Sequence, residues 1–159
     1  MKKPLLFTET VIVPNDLAFA EVGTLLAEGK AVTLRAKGNS MFPFIREGRD
    51  EIILEKCADI VPGDIVLAHL SNGRHVVHRI IRMEDEHITL MGDGNRCATE
   101  SCLRKDIIGK VTCILREGKP TDCNSRRQRQ LAKWWTSLLP IRRYLLAACR
   151  IMNQLKLSK

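Results

Sequence analysis

No apolar run in this chain approaches the roughly 18 uninterrupted residues of a membrane span. The opening Met1-Lys2-Lys3-Pro4-Leu5-Leu6-Phe7 begins like a secretion signal, but Thr8, Glu9 and Thr10 cut it short and no small-residue cleavage site follows. A cytoplasmic protein is expected. Cys-x-x-Cys pairs are missing too: Cys57, Cys97, Cys102, Cys113, Cys123 and Cys149 are scattered. That excludes the usual zinc spacings and, without a secretion signal, argues against a disulfide framework. Cys97 and Cys102 flank a loop and could pair or hold a metal, but reduced thiols are the simpler reading. No metal or other cofactor is expected.

Acid is absent from the end of the chain. Residues 1–123 hold all 18 acidic residues against 17 of the 26 Lys and Arg, a net charge near −1. Residues 124–159 hold the other 9 basic residues and no acid, a net of +9. The basic character therefore belongs to a tail. With 45% apolar residues overall, the rest can build an ordinary core. Three parts are expected: a strand and helix over residues 1–30 packed on the main domain, a β-rich domain over 31–123, and a basic amphipathic helical tail over 124–159.

Thr10-Val11-Ile12-Val13 reads as a first strand, ended by Pro14. Asn15 or Asp16 can cap a helix in which Leu17, Ala20, Leu25 and Leu26 recur at near-helical spacing until Gly29 stops it. Strands follow at residues 31–35, 51–54, 65–68, 75–83, 87–91 and 107–115, separated by turn residues such as Pro62-Gly63-Asp64, Asn72-Gly73 and Gly92-Asp93-Gly94-Asn95. The pattern predicts a mainly β fold, a coiled antiparallel sheet or partial barrel, with an N-terminal helix and an amphipathic C-terminal helical tail.

In the tail, Leu131, Trp134, Trp135 and Leu138 fall on one helical face. Pro140 interrupts the helix, and Ile141, Leu145, Ala148, Met152 and Leu155 continue an apolar stripe. Arg142, Arg143 and Arg150 lie off that stripe. Two readings stay open: a helical pair packed on the domain with its arginines solvated, or an amphipathic anchor on an anionic membrane surface, on the inner face of the membrane. Nucleic acid is the weaker fit, because only Trp134, Trp135 and Tyr144 could stack on bases and the β domain offers no basic face to extend the site.

The chemical centre is Lys37-Gly38-Asn39-Ser40-Met41-Phe42-Pro43-Phe44. Gly38 can take backbone angles closed to other residues and Pro43 fixes its own φ, so the turn can hold the Ser40 hydroxyl out toward a cleft. A nucleophilic serine also needs a base within reach. His78 lies in a strand on the face of Val76 and Ile80, where a structural core histidine is the plainer reading. Asp93 lies in a glycine-rich turn, where a turn former is the plainer reading.

The order of the blocks changes those readings. Gly38-Asn39-Ser40-Met41-Phe42-Pro43, Gly63-Asp64-Ile65-Val66, Val77-His78-Arg79-Ile80, Gly92-Asp93-Gly94-Asn95 and Ile108-Gly109-Lys110-Val111 follow one another as in the signal peptidase I and LexA-like serine peptidases, which this chain resembles over about residues 31–117. The resemblance implies that Ser40 of the Ser-Met-x-Pro box is the nucleophile. It also implies that His78, before Arg79, is the general base, as in the histidine branch of the endoplasmic reticulum and archaeal signal peptidases. Asp93 is the first choice for the carboxylate that orients His78. Glu100, a few residues past the Gly-Asp box, is the alternative. Asn39, Met41, Pro43 and Arg79 are expected to support the site, with the Ser40 N–H and Asn39 near the oxyanion. The hydroxyl that bacterial relatives often carry two residues before the nucleophile is replaced here by Gly38.

The resemblance thus implies a serine endopeptidase without a transmembrane anchor, acting on leader- or signal-type peptide segments. Two rivals share the fold: a non-catalytic module that binds a peptide or partner, and a self-cleaving regulator.

Overall fold

The computed structural model describes residues 9–10, 17–56 and 58–157. The strand expected over Val11-Ile12-Val13, Pro14, the helix cap at Asn15 or Asp16, and Cys57 lie outside the described residues. Among the described residues, nine strands form one coiled, mainly antiparallel sheet: β1 (Glu9–Thr10), β2 (Val32–Arg35), β3 (Asp50–Glu55), β4 (Ile65–His69), β5 (His75–Glu84), β6 (His87–Met91), β7 (Glu100–Leu103), β8 (Ile107–Arg116) and β9 (Lys119–Asp122). Their order is β1-β2-β3-β8-β4-β5-β6-β7, with β9 also on β8, and among the described residues β1 and β2 are the one parallel pair. Helix α1 (Leu17–Ala27) precedes the sheet, and α2 (Arg126–Ser137) and α3 (Arg142–Leu157) follow it.

The sheet is organised by β4 and β8. Residues Ile65 to Ala68 of β4 are buried on both faces, as a continuous apolar strand between two cores must be. Ile65 and Leu67 point into one core, with α1 (Val22, Leu26), β3 and β8. Val66 and Ala68 point into the other, with Ile80 of β5, Ile88 and Leu90 of β6 and Cys102 of β7. Strand β8 pairs with β4 at its start (Ala68↔Ile107, Val66↔Lys110) and with β3 and β9 further on. Register shifts at Ile53/Leu54, Leu67/Ala68 and Ile80/Arg82 add the local bend that coils the sheet.

The N-terminal helix and the strands expected from residue 31 onward are present, and of the first expected strand only Thr10 lies among the described residues. Strands β7 and β9 were not expected, because Glu100-Ser101-Cys102-Leu103 and Lys119-Pro120-Thr121-Asp122 lack a β-branched alternating run and owe their form to pairing with β6 and β8.

The tail corrects two expectations. Trp135 is buried and Trp134 exposed, so the two do not share a face. On α3 the inward residues are Arg142 and Leu146, with Leu145 and Cys149 half-buried; of the expected stripe, Ile141 just before the helix and Ala148, Met152 and Leu155 face solvent, and only Leu145 packs inward. Trp135 and Leu146 pack with Phe42 in a third small core, directly behind the serine turn. No helix among the described residues is long and apolar enough to cross a membrane.

Candidate active site

The serine turn leaves β2 through Gly38, whose φ of +79° confirms the left-handed geometry the turn needs. The chain then coils tightly: Phe42 N–H donates to the Asn39 carbonyl at 3.1 Å and Ile45 N–H to the Met41 carbonyl at 3.0 Å. Met41 is buried in the first core and Phe42 in the third. These two anchors hold the turn from both sides and leave Ser40 exposed between them. Ser40 and His78 border the same groove, of about 320 Å³, with Leu34 of β2, Ala36 just after it, Arg74 just before β5 and Val76 within it.

The loop of residues 92–95 brings His78 to the serine turn. Gly94 N–H donates to the Ser40 carbonyl at 2.8 Å. A Cβ on Gly92 would lie 2.5 Å from the Ser40 carbonyl oxygen and 3.2 Å from His78 Nε2. Only a glycine therefore allows loop, serine backbone and imidazole to converge. Gly94 is similarly crowded by the Asn39 carbonyl, at 2.7 Å from a Cβ placed there.

His78 is buried on β5, opposite Val66 of β4. Its Nδ1 lies 2.6 Å from Oε2 of Glu100, and neither atom has a hydrogen-bond partner elsewhere among the described residues. The sheet register delivers that carboxylate. Ile80 faces Leu90, and Leu90 faces Glu100, so β7 presents its first residue two strands from β5. With Nδ1 turned to Glu100, Nε2 is the nitrogen left beside Gly92 and the serine turn. Arg74 sits on the far side of the carboxylate, 3.7 Å from Oε1. Burial lowers the pKa of His78 below its ordinary 6.5, against the opposing pull of Glu100. The imidazole is therefore neutral at pH 7, the form a general base requires.

Asp93, the first choice for the orienting carboxylate, is occupied elsewhere. Both its oxygens accept from Arg79: Nε to Oδ1 at 2.8 Å and Nη2 to Oδ2 at 2.6 Å, in a pair buried on both sides. Burial works against the Arg79 charge, but Asp93 more than offsets it and holds the guanidinium above its ordinary pKa. The third donor group of Arg79, Nη1, binds the Gly63 carbonyl at 2.7 Å, so Arg79 ties the Gly63-Asp64 turn to the 92–95 loop. The carboxylate placed against His78 is Glu100. Asp64 in turn holds Lys110 at 2.9 Å, again buried on both sides. Lys110 is thus a paired structural cation.

Trp135 and Arg142, read from the sequence only as tail residues, were not expected at the site. Trp135 Nε1 donates to the Asp93 carbonyl at 3.0 Å. Arg142 is wholly buried beneath it, donating to the Trp135 carbonyl at 2.7 Å and the Asn95 carbonyl at 3.4 Å. The one available signal was the second helical stripe of Arg142, Leu146 and Cys149. Cys97 is exposed, Cys102 is buried, and both are free thiols. Among the described residues, no group of His, Cys, Asp and Glu is arranged to hold a metal ion.

A comparison with curated proteins returned no match. A family model described as Peptidase S24-like matches residues 6–112, two thirds of the chain, including Ser40, His78, Asp93 and Glu100, in accord with the resemblance to signal peptidases and LexA-like proteins. The chain belongs to the Peptidase S24-like family, whose fold is of the serine peptidase type.

Proposed function

We propose that the chain is a serine endopeptidase in which Ser40, His78 and Glu100 act together. The observation that carries this reading is the position of His78: buried, with Glu100 on Nδ1 and the serine turn at Nε2. Ser40 Oγ attacks a peptide carbonyl while His78 Nε2 takes its proton, then returns it to the leaving amine. Glu100 keeps the imidazole in the tautomer with Nε2 free and stabilises the imidazolium as it forms. Water reverses the sequence and releases the acyl group. The Ser40 N–H, with Asn39 beside it, receives the oxyanion in this reading. Met41 and Pro43 shape the turn, and Arg79 supports the site through Asp93. By the family resemblance the substrates are leader- or signal-type segments with small residues before the cleaved bond. The modest groove, with Leu34, Ala36 and Val76 among its lining, suits such residues.

A fluorophosphonate probe tests the reading. Wild type is expected to label at Ser40, and Ser40→Ala and His78→Ala are expected to lose labelling. Labelling of Ser40→Ala equal to wild type would remove the catalytic assignment and leave a peptide-binding module. Fragments of the chain itself, seen in wild type and absent in Ser40→Ala, would assign the activity to self-cleavage.

A further inference from the structure

The two C-terminal helices carry apolar residues on their outer as well as their inner faces. On α3, Arg142, Leu146, Cys149 and Asn153 follow the spacing i, i+4, i+7, i+11 and turn toward the domain. Tyr144, Ala148, Ile151 and Leu155 repeat that spacing two residues later, which at 3.6 residues per turn puts them on the opposite side. They are exposed, Tyr144 by 60%, Ile151 by 58% and Leu155 by 65%, with Met152 beside them. Helix α2 divides likewise: Ala132 and Trp135 face inward, while Leu131 and Trp134 face out. Exposed Arg127 shares the Leu131 and Trp134 face of α2, exposed Arg143 and Arg150 flank the α3 stripe, with Arg150 also bordering the groove beside Asn39 and Phe42, and residues 124–159 contain no acid. Packing on the domain is already satisfied by the inner stripe, so the outer one needs another occupant.

The chemistry of the face selects among occupants. A second copy would set one tail of +9 against another. Nucleic acid would meet Ile151, Met152 and Leu155, which neither hydrogen-bond nor stack. An anionic bilayer interface accommodates both features: aliphatic side chains enter the acyl boundary, Trp134 and Tyr144 sit at headgroup level, and the arginines meet lipid phosphates. We propose that the outer face of α2 and α3 docks the protein on an anionic lipid surface, without crossing it. The docking face is separate from the Ser40 groove and does not depend on its chemistry.

Sedimentation of the full chain with phosphatidylcholine vesicles, with and without phosphatidylglycerol, tests this. Binding is expected only to the anionic vesicles, weakening as salt rises, with a blue shift in the emission of Trp134 that is absent in Trp134→Phe. The exposed double substitutions Ile151→Asn/Leu155→Asn and Arg143→Gln/Arg150→Gln should each weaken binding, the second on the order of tenfold or more, while circular dichroism stays that of wild type. Failure to bind either vesicle, or binding that neither double substitution changes, overturns the proposal. So would a dimer in analytical ultracentrifugation that Ile151→Asn/Leu155→Asn abolishes, or a shift with RNA, if either is found without vesicle binding. Loss of probe labelling in Ser40→Ala with vesicle binding intact separates this surface from the peptidase reading.

Discussion

Two carboxylates stand near His78, and they differ in what they already hold. Asp93 gives both oxygens to buried Arg79, whereas Glu100 is partly exposed and turned to the imidazole. Substituting Asp93→Asn leaves a buried guanidinium uncompensated, a loss of about 3–5 kcal/mol, and should appear as a large fall in Tm. Glu100→Gln should leave Tm close to wild type and slow the labelling of Ser40 by about 10²- to 10⁴-fold. Measuring Tm and labelling rate on both variants checks this division; identical profiles for the two would contradict it. The pH dependence follows from the same contacts. His78 in the folded chain has a pKa below 6.5, so the acid limb of the rate profile should fall below that value. As pH drops through 6.5, the unfolded chain binds a proton that the buried imidazole refuses. Stability therefore decreases between 6.5 and the lowered folded pKa, and recovers as pH rises. Glu100→Gln removes a contact that raises the His78 pKa, so its acid limb should move lower still while the maximum rate falls.

At the scale of elements, the 92–95 loop is the joint. It binds the serine turn through Gly94, Arg79 through Asp93, and the tail through Trp135 and Arg142. Gly92→Ala would force a methyl to 2.5 Å from the Ser40 carbonyl, a clash between two backbones that no rotamer relieves. We expect a loss of about 1–3 kcal/mol and abolished labelling, read by thermal melts and the probe. The serine box, β2 to β6 and β8 were legible in the sequence because their signals are local: Gly38 and Pro43 around one serine, alternating apolar residues between glycine turns. Glu100 was less so. Its place against His78 is set by the pairing of β7 with β6, a long-range register that Glu100-Ser101-Cys102-Leu103 does not advertise. The inward face of α3 was hidden for a related reason. With apolar residues at both sets of helical spacings, periodicity alone does not choose between them. The choice falls to a buried arginine, Arg142, which would have been assigned to solvent.

For the molecule as a whole, the same contacts make the C-terminal helices part of the structure around Ser40, although the family match ends at residue 112. Phe42, two residues past Ser40, is buried against Trp135 and Leu146, and the loop that faces Ser40 hangs from Trp135 Nε1. Deleting residues 124–159 would uncover Phe42, free the Asp93 carbonyl and remove the group beneath Asn95. The sheet has its own two cores and should retain its β-type circular dichroism. The serine turn and the 92–95 loop should lose their fixed separation, so labelling of Ser40 should fall even though Ser40, His78 and Glu100 are all present. Trp135→Phe isolates one link: it keeps most of the packing and removes one N–H donor, a cost of about 1 kcal/mol, with a smaller loss of labelling than the deletion. Hydrogen exchange at Gly94, whose N–H is held by the Ser40 carbonyl, reports the loop directly and should quicken in both variants. Wild-type exchange and labelling in the truncated chain would mean that the β domain positions its own nucleophile, and that the helices contribute only their outer surface.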